Sequence, residues 1–152
     1  VTFYRKILIF PYTPQMLVFP FILCYYVEVR IFKYKWFHRF AKKEGISDSE
    51  LKEIVNQLEG GQYYADLGGS VYKMELARKG KGKRGGYRVL VIFKSEFRTF
   101  FAFGFPKSKM GNIEDDMLKG YKKQAKEDFS LTEEQIKLML EIKDLVEILQ
   151  EE

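Results

Sequence analysis

Histidine and cysteine are almost missing from this chain of 152 residues: His38 and Cys24 are the single examples. One cysteine excludes an internal disulfide framework and a cysteine-based zinc cluster. One histidine excludes most His-rich metal sites and any two-histidine acid–base mechanism. Catalysis, if there is any, falls to Lys, Arg, Tyr, Asp or Glu, with no metal and no cofactor. His38 reads as a surface residue on the polar side of a helix, and Cys24, inside an apolar run, as inert. Proline is scarce as well, and Pro11, Pro14 and Pro20 stand in the most apolar stretch, residues 7–26. Arg5 and Lys6 precede that stretch in the manner of an anchor or signal, but three prolines interrupt a single spanning helix and no small-residue cleavage site follows. Residues 1–26 therefore read as an apolar extension of doubtful authenticity ahead of a body beginning at Val27. A membrane anchor and an arm that packs on the body are the other readings.

What is present is aromatic, apolar and charged. Aromatics make up 16% of the chain and apolar residues 46%, which excludes a disordered polymer and allows one ordinary core. The net charge of +5 is unevenly spread: +2 over 1–26, +9 over 27–113 and −6 over 114–152. A basic body with an acidic tail points to a polyanionic partner.

Glu28 to Lys35 starts as a strand, and Trp36, Phe37, Phe40 and Ala41 then recur at helical spacing. Gly45 fits a helix C-cap, and Ser47 to Glu50 is a capping box ahead of a helix carrying Leu51, Ile54, Val55 and Leu58. Val71–Arg78, Tyr87–Lys94 and Arg98–Phe105 read as three strands of an antiparallel meander, with 79–86 as a loop. Ile113–Phe129 reads as a helix with an acidic first turn. A further amphipathic helix is expected from about Thr132 through Ile148. The fold class is α+β: two N-terminal helices on a small, mainly antiparallel sheet, then C-terminal helices, with a body over 27–129 and an acidic C-terminal helix over 130–152.

The segment Arg78–Arg88 (RKGKGKRGGYR) concentrates the chemistry, with six cations, four glycines and no acid in eleven residues. Glycines let backbone approach an anion and cations neutralise phosphate. The spacing matches neither a P-loop nor a dinucleotide fingerprint. Arg78, Lys81, Lys83, Arg84, Tyr87 and Lys109 are candidate RNA-binding residues, and bases could stack on Tyr87, Phe103 or Phe105. Adjacent strand residues point to opposite faces, so Tyr87 and Arg88 share one cleft only if the strand end is bulged.

The runs KWFHRFAKKEGISDSEL (35–51), ADLGGSVYKMELARKGKGKRGGYR (65–88) and FFAFGFPKSKMGNI (100–113) resemble RelE-type toxins of bacterial toxin–antitoxin systems, nearest to the RelE/HigB-like branch. The resemblance covers about 28–128. It implies a small α+β fold and a metal-independent, cytoplasmic endoribonuclease that cuts messenger RNA in the ribosomal A site. The 2′-hydroxyl attacks the scissile phosphate and a cyclic phosphate remains. The partners it implies are the ribosome, messenger RNA and a cognate antitoxin, expected to be of the helix-turn-helix type. It implies Lys73 as base or phosphate stabiliser, Arg88 of the Gly-Tyr-Arg motif as phosphate stabiliser, and Lys107 as a third catalytic cation. Two positions depart from the family pattern: Glu75 replaces a lysine, and Met110 stands where a final arginine belongs. The tyrosine that some members use early in the last helix has no counterpart, Tyr121 being too late. Two other readings stay open: a toxin of the same superfamily that binds nucleic acid or gyrase without cleaving, and a membrane-associated interaction protein resting on residues 1–26. The acidic tail is also a candidate to fold back over the cationic loop.

Overall fold

A computed structural model describes residues 29–80, 82–109 and 113–150, without the side chains of 82–84. The apolar extension 1–26, Lys81, Met110 and the side chains of Lys83 and Arg84 thus lie outside the described residues. The elements run β1 (Arg30–Tyr34), α1 (Lys35–Glu44), α2 (Asp48–Glu59), β2 (Ala65–Asp66), β3 (Val71–Arg78), β4 (Gly82–Lys94), β5 (Arg98–Pro106), α3 (Asp115–Ser130), α4 (Glu133–Glu141) and β6 (Leu145–Ile148). They form one six-stranded sheet in the order β2-β3-β4-β5-β1-β6. The meander β3-β4-β5 is antiparallel, as the short connections require, and β1 is parallel to β5. The chain is α+β with a mixed sheet.

Each face of the sheet carries its own core. On one side Phe37, Ala41, Leu51, Ile54, Val55 and Leu58 of α1 and α2 pack on Ile31, Met74, Val89, Val91 and Phe101. On the other, Ala125 and Ile136 of α3 and α4 cover Phe32, Val71, Leu90, Ile92 and Phe100. The local signals work as read. Gly45 ends α1 at φ 70, and Ser47 and Glu50 bond reciprocally to each other's backbone N–H. Gly104 makes room for α1: a Cβ there would stand 2.4 Å from a ring carbon of Phe40.

Two expectations need correction. The stretch 79–86 is not all loop, because Gly82–Gly86 already belongs to β4 and only the tip turns. Glycine makes this possible, since a Cβ on Gly86 would lie 2.4 Å from the Leu76 carbonyl oxygen across the strand pair. The last helix stops at Glu141. Lys143 takes a left-handed φ of 61, and Leu145–Ile148 pairs antiparallel with β1 instead. Leu-Val-Glu-Ile has the branched content a strand prefers, and Leu145 and Ile148 are both buried there.

That strand also rules out the folded-back tail. β6 is four positions from β3 and three from β4 in the sheet. The tail's acids answer local cations: Glu147 pairs with Arg30 at 2.7 Å, and Glu133 pairs with Arg30 at 2.6 Å and Arg98 at 2.9 Å. Among the described residues no helix is long and apolar enough to cross a membrane.

A candidate nucleic-acid interface on the α3 face of the sheet

The pleat decides which cations meet. Lys73 lies opposite Leu90, and Glu75 opposite Arg88, in the β3–β4 ladder. Leu90 belongs to the core under α3 and α4, so Lys73, Glu75 and Arg88 all point to that face. Lys107 follows β5, and its backbone N–H donates to the Gly86 carbonyl at 3.0 Å, which brings the turn alongside β4. Its ammonium reaches Glu75 Oε1 at 2.7 Å. The three catalytic candidates are therefore held on one face by three different strands.

Tyr64 completes the group and was not picked out from the sequence. Its ring is half-exposed. Lys73 Nζ lies 5.6 Å and Arg88 Cζ 4.9 Å from the ring centroid, and Arg88 donates to its hydroxyl at 3.2 Å. The bend just before β2 offers a flat aromatic beside two cations, the combination that holds an unpaired base beside its phosphate. The only sequence signal was its place just before the Ala-Asp-Leu-Gly-Gly turn.

Tyr87 and Arg78 lie apart from this group. Parity sends Tyr87 to the opposite face, where it is 2% exposed and donates to Glu44 Oε2 at 2.6 Å. Burial and the Glu44 hydrogen bond both push its phenol pKa up, so it stays a neutral donor in the core. Arg78 shares that face, 3.9 Å from Glu44 and 5.7 Å from the Tyr87 ring. Glu44 and Glu50 line the same hollow, which makes it a poor seat for phosphate. Phe105 is 5% exposed and Phe103 half-buried against Tyr121, so Phe105 offers no stacking face. Lys109 is exposed in the turn after β5. Among the described residues no cluster of His, Cys, Asp or Glu could hold a metal ion.

The comparison with protein families decides the class. A model of the RelE toxin of the RelE/RelB toxin–antitoxin system matches residues 29–148. The chain belongs to the RelE toxin family. No curated protein gives a significant match. The match spans β1 through β6, so the terminal strand that replaces the expected helix lies within the RelE toxin region. As a RelE toxin the chain is one partner of a toxin–antitoxin system.

Proposed function

We propose that this RelE toxin is a metal-independent, ribosome-dependent endoribonuclease that arrests translation by cutting messenger RNA in the cytoplasm. The observation carrying this reading is the convergence of Lys73, Arg88 and Lys107 on one face beside the exposed ring of Tyr64. In this reading Arg88 and Lys107 neutralise the non-bridging oxygens of the scissile phosphate as charge develops there. The 2′-oxygen attacks phosphorus, the bond to the 5′-oxygen breaks, and a cyclic phosphate and a 5′-hydroxyl result. The 2′-proton passes either to the Lys73 amine or to the Glu75 carboxylate, and the departing 5′-oxygen takes a proton from the surrounding cations or water. Arg78 and Tyr87 have no part in this site. Lys81, Lys83, Arg84 and Lys109 are further RNA-binding candidates. A cognate antitoxin, of the helix-turn-helix type, neutralises the toxin.

The test is induced expression of the wild type and of Arg88→Ala. The wild type stops translation and leaves new transcript ends bearing cyclic phosphates, and the variant does neither while keeping its melting temperature. Unchanged arrest with a folded Arg88→Ala protein overturns the reading. Glu75 among the cations favours a second reading, a toxin that binds without cutting. That reading predicts arrest with no new transcript ends, and an SOS response if gyrase is the target.

A further inference from the structure

One lysine of α3 stands where the helix pattern calls for an apolar residue. Leu118, Tyr121, Ala125 and Phe129 form the stripe that packs on the sheet. Lys122 falls inside that stripe, one turn after Leu118 and one before Ala125, and is half-buried. Lys123 and Lys126, off the stripe, are exposed. The Lys122 side chain runs out over the Gly68–Gly69 turn that joins β2 to β3. A Cβ on Gly69 would stand 2.8 Å from Lys122 Cγ, and one on Gly68 would stand 3.3 Å from its Nζ. The two glycines thus form a seat for the whole stem and deliver the ammonium at Gly68.

The seat is fixed and strained. Gly68, Gly69 and Ser70 take left-handed φ values of 81, 59 and 66 in succession, and a serine adopts such a value only when its surroundings impose it. The Gly68 N–H donates to Asp66 Oδ1 at 2.9 Å, and the Ser70 carbonyl accepts from the Phe93 N–H at 3.0 Å. Packing does not account for a lysine here. A methionine would cover the same glycines without bringing a charge to the sheet. Among the described residues no carboxylate lies within ion-pair distance of the Lys122 ammonium.

The turn also sets where that charge stands. The Gly68 carbonyl accepts from the Val71 N–H at 3.1 Å, so the turn is level with Val71. Val71 and Lys73 share the α3 face of β3, two residues or about 7 Å apart along the strand. We propose that Lys122 binds the RNA phosphate next to the scissile one, the strand running along β3 from Lys122 to the group of Lys73, Arg88 and Lys107. Holding two successive phosphates fixes the nucleotide between them beside the Tyr64 ring. The inference rests on the nuclease reading for calling the second phosphate scissile, but the lysine on its glycine seat is defined without it.

The test uses the full chain with Lys122→Met, which keeps the stem and removes the charge, and Lys122→Arg, which keeps the charge. Lys122→Gln repeats the measurement should the methionine variant not fold. Binding of a short single-stranded oligonucleotide of one defined sequence, lacking 2′-hydroxyls, is read by fluorescence anisotropy against salt. Lys122→Met keeps its melting temperature and binds about three- to tenfold more weakly, and its log–log salt slope shrinks by about 0.7, one phosphate contact. Lys122→Arg keeps most of the affinity. Neutral methylphosphonates are then placed at each linkage in turn. The linkage whose replacement no longer weakens Lys122→Met is adjacent to the one whose replacement no longer weakens Arg88→Ala. Affinity and slope equal to wild type overturn the proposal, as does one linkage shared by both variants or two that are not adjacent. If Arg88→Ala responds to every linkage while Lys122→Met loses one, phosphate binding at Lys122 stands and the nuclease reading alone is refuted.

Discussion

Replacing Glu75 with Gln is the sharpest perturbation of the candidate site. Glu75 faces Arg88 across the β3–β4 ladder and is ion-paired to Lys107 at 2.7 Å. Facing Cα atoms in such a ladder are about 4.5–5.5 Å apart, which puts a phosphate held by Arg88 and Lys107 about 5–7 Å from the carboxylate. At an effective dielectric of about 40–80, suited to a part-exposed face, the repulsion is about 0.6–1.7 kcal/mol. Salt screening and the mobility of the part-exposed pair reduce this to about 0.5–1 kcal/mol, or about two- to sixfold in affinity. Glu75→Gln removes that repulsion and the ion pair that competes with the ligand for Lys107. The assay is fluorescence anisotropy with a single-stranded oligonucleotide lacking 2′-hydroxyls, so that binding is read without cleavage. The variant binds more tightly, and its salt slope steepens by about 0.7, one additional phosphate contact. Unchanged or weaker binding refutes the placement of phosphate beside Glu75. Cleavage of ordinary RNA by the same variant then assigns the proton acceptor: a large loss of rate despite tighter binding gives that role to Glu75, and retained cleavage gives it to Lys73.

Tyr64→Ala weakens binding of the same oligonucleotide by about 1–3 kcal/mol, the worth of one stacked base, while Tyr64→Phe keeps most of it; equal binding by the alanine variant removes Tyr64 from the site. Gly86→Ala places a methyl 2.4 Å from a backbone carbonyl that cannot rotate away, so the strands must part. The cost is about 1–3 kcal/mol and the melting temperature falls by about 3–10 °C in a thermal melt. Asp128 is buried, and that burial raises its carboxyl pKa above the ordinary 3.8, against the hydrogen bonds from Tyr34 and Gln124 that lower it. The folded state therefore holds its proton more tightly than the unfolded chain. Asp128 favours folding most below pH 3.8, and that contribution declines as pH rises through the folded value. Denaturant melts from pH 3.5 to 7 should show this slope in the wild type and a flatter one in Asp128→Asn; identical slopes refute it.

Features set by neighbouring residues were readable from the chain. The Ser47–Glu50 box and the Gly45 cap need only a few residues, and the meander follows from short connections between branched and aromatic runs. Strand parity already said that Tyr87 and Arg88 face opposite ways, but not which one meets the helices. That choice belongs to Phe40 and Glu44, which receive Tyr87 from α1. The glycine-rich stretch looked like pure loop because composition does not reveal that Gly86 must sit against a carbonyl. At the tail, Ile142, Leu145 and Ile148 are spaced alike for a helix and for a short helix followed by a strand. The open side of β1 settles the matter, and that lies more than a hundred residues upstream. Tyr64 was missed because its value comes from Lys73 and Arg88, which reach it only after the strands pair.

The position of β1 has a consequence for biosynthesis. This strand, made first among the described elements, lies between β5, made near residue 100, and β6, made last. Contacts of such long sequence separation form slowly. A chain halted before Leu145 leaves β1 as a bare edge and Ile31 and Tyr34 without their partners. The RNA-binding cations predicted from the sequence are all translated by residue 109, yet the sheet that aims them is complete only once Leu145–Ile148 has paired with β1. Deletion of Leu145–Ile148 should therefore disarm the toxin as surely as loss of Arg88, by leaving β1 without one of its two neighbours.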